Sequence, residues 1–212
     1  MDTLPAKAAE HPVNRVLPPN PKQAAIVVAG FTALLYLIEL VDAILPTDLD
    51  RFGIHPRSLS GLLGIIWAPL LHHGWGHLAA NTLPVLIFGF LAMSIGLRQW
   101  IAVTATIWLV SGIGVWLIGG AGVTVGASGL ALGWLTFLLV RGLFTRSFLQ
   151  LGIGLVLLFY WGSTLFGVLP GNPGISWQGH LFGAAAGVLA AWLVALAARR
   201  PVAKPVAEDP VA

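Results

Sequence analysis

Long apolar runs, separated by short polar or glycine-rich connections, dominate the pattern of this chain. Six of the runs are close to the 20 residues that a helix needs to cross the hydrocarbon core of a bilayer. We place these six spans at about 24–46, 77–96, 100–119, 126–143, 147–169 and 178–198. A further apolar stretch at 62–71 is too short to span and is interpreted as an interfacial or re-entrant segment, with a short seventh span as the alternative.

Polar segments lie at both ends of the chain. Residues 1–23 are rich in proline and are interpreted as a disordered cytoplasmic tail, and residues 199–212 as a second cytoplasmic tail. The core between them, 24–198, is predicted to be all-α: a polytopic membrane protein with a bundle of six transmembrane helices.

The composition agrees with a membrane protein. Charged residues make up 9% of the chain and hydrophobic residues 57%, whereas about 25% of the residues in a soluble domain are charged. Because so few charges cannot cover a water-facing surface, the soluble classes are excluded. The 26 glycines fit close packing of helices in lipid. The sequence has no cysteine, which excludes disulfides and thiolate metal sites.

The distribution of lysine and arginine predicts the orientation of the spans. With the N-terminus in the cytoplasm, only Arg51 and Arg57 fall on the outer side. The cytoplasmic side then holds the other basic residues, which are Lys7, Arg15, Lys22, Arg98, Arg141, Arg146, Arg199, Arg200 and Lys204. Both termini are therefore predicted to be cytoplasmic, and the compact core favours a bacterial inner (plasma) membrane. Since topology explains the basic residues, no nucleic-acid partner is expected.

In this orientation the second, fourth and sixth spans all begin on the outer side, and polar residues mark their starts. His77 and Asn81 open the second span, Ser128 opens the fourth, and His180 opens the sixth. Ionisable groups at membrane depth are costly and usually functional. The predicted topology therefore brings four chemically useful side chains to one level of the membrane.

Ser128 and His180 are candidates for a nucleophile and its base. A serine hydroxyl is a weak nucleophile until a neighbouring group takes its proton, and histidine suits that task near neutral pH. On the sequence Gly126-Ala127-Ser128-Gly129 alone, a helix-capping serine is the simpler interpretation. For His180 alone, an interface histidine is equally plausible.

Two small-residue faces favour the functional interpretation. Gly129 and Gly133 are four apart on the fourth span, and Gly183 and Gly187 are four apart on the sixth. Such faces let two helices approach closely. Packing them together would bring Ser128 within hydrogen-bond reach of a histidine one turn before Gly183.

His77 and Asn81 share one helix face and can both donate hydrogen bonds. Acyl transfer builds negative charge on a carbonyl oxygen, and donors aimed at that oxygen lower the barrier. His72, just outside the span, could brace the adjoining loop. A metal site formed by His72, His73 and His77 is the competing interpretation, although the spacing is poor and no carboxylate is near in sequence.

No acidic residue lies close in sequence to Ser128 or His180, so a two-residue Ser–His dyad is the economical mechanism. Glu39 and Asp42 lie near the end of the first span. A solvated or snorkelling helix end is the favoured interpretation for both, and a contact with the first outer loop is the alternative.

Taken together, these motifs resemble those of the rhomboid family of intramembrane serine proteases. The resemblance covers about 24–198 and is specific because three motifs occur in the expected spans and order. The motifs are H-x4-H-x3-N at His72, His77 and Asn81; G-x-S-G at Gly126 to Gly129; and H-x2-G-x3-G at His180, Gly183 and Gly187.

The resemblance implies a function and a set of roles. Ser128 would be the nucleophile, His180 the general base, and His77, Asn81 and the backbone N–H of Ser128 the oxyanion hole. The supporting residues would be His72, Gly126, Gly129, Gly183 and Gly187. The fifth span, 147–169, and the loop 170–177 would act as a substrate gate and cap.

The implied activity is an endopeptidase that cleaves transmembrane segments of membrane proteins, with no cofactor and no metal. An inactive rhomboid-like protein that binds or escorts membrane proteins is the alternative. A small transporter or channel is disfavoured because the predicted polar cluster lacks charged residues and no inverted repeat is detectable.

Two departures from the family pattern affect positioning. Leu132 stands one turn after Ser128, where many members carry an aromatic residue that packs against the base. Leu63-Gly64 stands where a Trp-Arg pair is common in the first outer loop. The first departure bears on the placement of the histidine and the second on the anchoring of the loop, but neither removes a reacting group.

Overall fold

The computed structural model describes residues 12–171, 174 and 176–199, and the regular secondary structure within them is helical apart from one isolated bridge between Ile54 and Thr124. The α-helices are α1 (Pro21–Ile44), α2 (Leu59–Trp67), α3 (Gly74–Ala92), α4 (Leu97–Ile118), α5 (Ser128–Thr145), α6 (Phe148–Trp161) and α7 (Trp177–Arg199). All but α2 are long and apolar enough, with 3₁₀ extensions of α3 to Ile95 and α6 to Val168, to cross a membrane. The predicted all-α polytopic bundle of six spans is confirmed.

The predicted interfacial stretch at 62–71 forms the short helix α2 and a 3₁₀ turn at Ala68–Leu70. Ser58 begins α2, because its hydroxyl oxygen accepts the backbone N–H of Gly61 at 3.0 Å. At about 1.5 Å per residue, α2 is far shorter than the bilayer core. The alternative of a seventh span is therefore wrong.

Two tryptophans of α4 anchor α2. Trp108 Nε1 donates to the backbone oxygen of Ile65 at 2.8 Å, and Trp116 Nε1 donates to that of Ser58 at 2.7 Å. At Gly64, an added Cβ would lie 2.1 Å from a backbone oxygen of the preceding loop, so no larger residue fits. The first loop is thus held by α4, without the Trp-Arg pair that is common in the family pattern.

The α5 helix lies at the centre of the bundle and packs against α3, α4, α6 and α7. Trp134, Leu135 and Phe137 on α5 are fully buried. The two predicted glycine faces meet between α5 and α7: an added Cβ at Gly183 would lie 2.1 Å from the backbone oxygen of Gly129. The next turn repeats this contact, since Gly187 lies equally close to the backbone oxygen of Gly133. Close packing of these backbones sets the distance between the helices that carry Ser128 and His180.

The α6 helix, by contrast, is attached mainly along one side, to α5. Large apolar side chains such as Phe148 and Phe159 project from it and are almost fully exposed within the protein. In a bilayer such side chains face lipid, where exposure carries no hydrophobic penalty.

The chain before α1 is more ordered than the sequence analysis expects. Gln150 Nε2 donates to the backbone oxygen of Val13 at 2.7 Å, and the buried guanidinium of Arg141 donates to that of Arg15 at 2.9 Å. Asn20 caps α1 by accepting the N–H of Gln23. Residues 12–23, assigned above to a disordered tail, therefore have defined contacts, while 1–11 and 200–212 lie outside the described residues.

Candidate active site

Ser128 is the first residue of α5, and the turn before it depends on glycine. Gly126 has φ +117°, a conformation that residues with a side chain rarely adopt. An added Cβ at that position would also lie 2.6 Å from Cε1 of His77. Because Gly126 has no side chain, the start of α5 lies directly against the His77 ring. Because its φ is not helical, α5 begins at Ser128, two residues later than the predicted span.

His72 forms a hydrogen bond to the same turn. Its side chain is buried, and its Nε2 accepts the backbone N–H of Ala127 at 3.3 Å. Burial, with the nearby His77 ring as a lesser cause, lowers the pKa of His72 to about 4. His72 is therefore neutral at pH 7, as its acceptor role requires. Through this contact His72 links the loop before α3 to the turn that precedes Ser128.

Ser128 and His180 meet across the α5–α7 interface. Ser128 Oγ lies 2.8 Å from Nε2 of His180, which is hydrogen-bond distance. The other ring nitrogen, Nδ1, is buried and has no hydrogen-bond partner among the described residues. Gly167 covers it, since a Cβ added there would lie 2.5 Å from Nδ1. The described residues thus form a two-residue arrangement without a third, acidic member.

His77 and Asn81 lie beside this pair in the first turns of α3. Nδ1 of His77 accepts the backbone N–H of His73 at 3.3 Å, so the neutral ring carries its proton on Nε2. Asn81 Nδ2 donates one of its two N–H groups to the backbone oxygen of His77 at 2.9 Å. The second N–H of Asn81 and the backbone N–H of Ser128 have no acceptor among the described residues.

A cavity of about 320 Å³ connects these groups. It is lined by His77, Asn81, Ser128, His180, Leu132 and residues 123–126. Residues 123–125, which line this cavity, belong to the non-helical segment between α4 and α5. Leu132 is buried one turn after Ser128, at the position where an aromatic residue was expected.

One set of contacts near the end of α1 differs from the expectation. Glu39 is only 5% exposed, and Asp42 Oδ1 accepts the backbone N–H of Leu49 at 2.6 Å. The favoured interpretation of a solvated helix end is wrong for Glu39, and the alternative, a contact with the first loop, holds for Asp42. The reason is that the loop folds back over the end of α1.

A second contact that the sequence did not indicate joins this loop to the site. His73 Nδ1 lies 2.7 Å from Asp50 Oδ2, and the His73 ring stacks on His77. Burial raises the pKa of Asp50, while the adjacent His73 acts in the opposite direction. Nδ1 of His73 pairs with Asp50, and Nε2 of His72 accepts the N–H of Ala127. These two nitrogens are therefore not directed together at the metal site considered above for His72, His73 and His77.

Comparison with known proteins gives a family match and several relatives of similar sequence. A family model described as the Rhomboid domain matches residues 60–197. An uncharacterized protein of Mycobacterium tuberculosis and one of Mycobacterium bovis are each 50% identical over 179 residues, covering 80% of this chain and 75% of theirs. An uncharacterized protein of Mycobacterium leprae is 46% identical over 184 residues, covering 82% of this chain and 73% of its own.

Proposed function

The chain belongs to the rhomboid family, and from that premise we propose that it is a serine endopeptidase that cleaves transmembrane segments of other membrane proteins. Family membership supports an intramembrane site, but it does not by itself separate a protease from an inactive relative that binds or escorts membrane proteins. The observation that carries the proposal is the 2.8 Å contact between Ser128 Oγ and His180 Nε2.

The proposed reaction proceeds in two steps. His180 Nε2 takes the hydroxyl proton as Ser128 Oγ forms a bond to the carbonyl carbon of the scissile peptide. The resulting imidazolium then gives that proton to the leaving amine, and the C–N bond breaks to leave an acyl-enzyme. Water, deprotonated by the same histidine, attacks the ester carbonyl. The imidazolium then returns that proton to Ser128 Oγ as the ester C–O bond breaks, which releases the acid product and restores Ser128.

Three hydrogen-bond donors are proposed to form the oxyanion hole. They are Nε2–H of His77, the second amide N–H of Asn81 and the backbone N–H of Ser128. Their support is that the first two line the same cavity as Oγ, and that each of the last two N–H groups lacks an acceptor among the described residues. Removing one such donor typically lowers kcat by about 10²–10³-fold.

Substrate is proposed to reach the cavity from the lipid, past α6 and the loop 170–177. The one-sided packing of α6, which contacts mainly α5, supports this route. Residues 172, 173 and 175 of the loop lie outside the described residues. A helical substrate must unwind locally before its carbonyl can be attacked, so helix-breaking residues near the scissile bond should favour cleavage. The charge distribution supports cytoplasmic termini and a site on the outer side of a bacterial plasma membrane.

A fluorophosphonate probe tests the nucleophile directly. We expect the purified protein in detergent to form one covalent adduct, located on Ser128 by peptide mass spectrometry and lost in Ser128→Ala. Ser111→Ala is a matched control, because Ser111 also lines the cavity but its hydroxyl donates to the backbone oxygen of Gly179. An adduct on Ser111, or none on a folded protein between pH 6 and 9, would contradict the proposal.

Cleavage of a single-span model substrate in liposomes tests the activity. We expect the wild-type protein to produce two fragments and Ser128→Ala to produce none while still binding the substrate. Substrate binding by the wild-type protein without any cleavage would favour the escort function instead.

A further inference from the structure

A second cavity, of about 390 Å³, lies at the end of the bundle opposite Ser128. Its walls come from the end of α5, the last turns of α7 and the chain before α1, through residues such as Thr145, Ala198 and Val13. Since α5 has 18 residues, its length of about 27 Å separates this cavity from Ser128. The volume falls within the range of about 300–1,000 Å³ that is typical of small-molecule sites. The cavity therefore has room for a ligand that takes no part in the proposed reaction.

Two arginines line this second cavity. Arg146 follows the last turn of α5, Arg199 ends α7, and both residues are exposed. Arg199 Nη2 donates to the backbone oxygen of Phe144 at 3.3 Å, a contact that the carbonyl end of a helix offers to a nearby cation. The guanidinium of Arg146 forms neither a hydrogen bond nor an ion pair with any described residue. At least one guanidinium of the cavity wall is thus left to bind an anion.

The backbone of Arg146 supports a role for its side chain. The residue has φ +56°, the left-handed conformation that glycine usually adopts at the end of a helix. A residue with a side chain is less stable in that conformation. Residues held in unfavourable backbone conformations cluster at ligand sites. The chain therefore keeps a cationic side chain at a position where glycine would suit the backbone better.

The carboxylates of the described residues are too distant to neutralise these arginines. All four acidic residues between positions 12 and 199 fall within 39–50, in the last turns of α1 and the loop after it. The backbone oxygen of Arg15, just before α1, accepts from Arg141 in the last turns of α5, so α1 starts at the cavity's end of the bundle. From that start to Glu39 the helix rises about 27 Å, well beyond the screening length of about 8 Å at physiological salt. The negative charge that this cavity attracts must therefore come from outside the described chain.

We propose that this cavity binds the phosphate group of an anionic phospholipid of the cytoplasmic leaflet. The distribution of basic residues predicts that this end of the bundle is cytoplasmic, and basic pockets between spans on that side bind anionic headgroups. A guanidinium can form two parallel hydrogen bonds to phosphate oxygens. The apolar wall, which includes Phe144 and Ala195, suits the first carbons of the acyl chains. Asn14 also lines the cavity, and since its Oδ1 has no donor among the described residues, its amide can turn an N–H group towards the phosphate. This site does not depend on the proposed proteolysis.

Native mass spectrometry of the purified full-length protein in detergent tests the proposal. With dioleoyl phosphatidylglycerol we expect a saturable one-to-one adduct, whereas zwitterionic dioleoyl phosphatidylcholine should bind roughly tenfold more weakly or less. Arg146→Gln and Arg199→Gln each remove a charged donor and should weaken binding of phosphatidylglycerol by roughly 10–100-fold. Arg98→Gln is the matched control and should bind like the wild type, because Arg98 is an exposed arginine at the same end of the bundle but does not line the cavity.

A further variant separates loss of binding from loss of folding. Arg146→Gly removes the side chain but suits the left-handed backbone. Its Tm without lipid should therefore be no lower than that of the wild type, while its binding of phosphatidylglycerol falls. Equal weakening in Arg98→Gln, or equal binding of phosphatidylcholine, would overturn the proposal, because the attraction would then be general. Full displacement of the lipid by millimolar inorganic phosphate would also overturn it and would assign the cavity to a soluble phosphate.

Discussion

The close contact between α5 and α7 makes Gly183→Ala a direct test of how the candidate dyad is positioned. An added Cβ at Gly183 would lie 2.1 Å from the backbone oxygen of Gly129, whereas ordinary contacts begin at 3.4 Å. The atom it meets is backbone, so it cannot rotate away. The two helices must therefore separate by about 0.9 Å to reach the shortest real contact, 3.0 Å, and by about 1.3 Å to reach an ordinary one.

That separation acts on the neighbouring turn, where Ser128 and His180 lie. Their 2.8 Å contact would lengthen to roughly 4 Å, beyond hydrogen-bond distance. Loss of general-base assistance and a misplacement of about 1 Å each cost on the order of 100-fold in rate. We expect the rate of fluorophosphonate labelling at Ser128 to fall about 100-fold or more, together with an overpacking cost of about 1–3 kcal/mol in stability.

Labelling rates and thermal melts of Gly183→Ala and Gly152→Ala provide the measurement. Gly152, on α6, is the matched control, since an added Cβ there has no atom within 4 Å. The control should label at the wild-type rate and change the free energy of unfolding by less than about 0.5 kcal/mol. If folded Gly183→Ala labels as fast as the wild type, close glycine packing does not position Ser128 and His180.

Three further outcomes are expected. Ser128→Ala and His180→Ala should abolish cleavage of a model substrate. His73→Ala should retain most of it, because its backbone N–H still donates to His77 Nδ1. Equal losses in all three variants would show that the base is misassigned. Burial lowers the pKa of His72 from 6.5 in the unfolded chain to about 4 in the folded protein. The free energy of unfolding should therefore fall by roughly 3 kcal/mol as the pH falls from 6.5 to 4, and it should not depend on His72 above pH 6.5. Denaturation midpoints should show this slope, and His72→Gln should remove it. Arg141→Met removes the donor to the buried Ser94 hydroxyl and one of the two donors to the backbone oxygen of Arg15, so its Tm should fall by an amount equivalent to about 2 kcal/mol. An unchanged Tm would mean that water replaces the guanidinium.

Hydropathy and glycine spacing were sufficient to predict the spans and the interface that carries the candidate dyad. A bilayer imposes one length on every crossing helix, so the spans can be located without knowing their neighbours. The spacing of Gly183 and Gly187 marks a face that only a close partner helix explains. The proximity of Ser128 to His180 could be predicted from those two facts, because both residues lie next to the glycine faces.

Contacts made by irregular segments were not predictable in the same way. The pair between His73 and Asp50, and the hydrogen bonds from Arg141 and Gln150 to the chain before α1, join residues far apart in sequence. No periodicity marks them, and each depends on how a loop folds back once the helices are packed. The same reason explains the misinterpretation of Glu39 as a solvated helix end.

The central position of α5 has a consequence for how the chain enters its membrane. Because other helices surround α5, it does not need a lipid-facing surface, and its mean hydropathy of 1.4 is the lowest of the six spans. Arg141 lowers its tendency to partition into lipid further. As an isolated segment α5 is the poorest candidate for insertion, so its integration depends on the spans synthesised on either side. The helix that carries Ser128 therefore reaches the bilayer interior only as part of an assembling bundle.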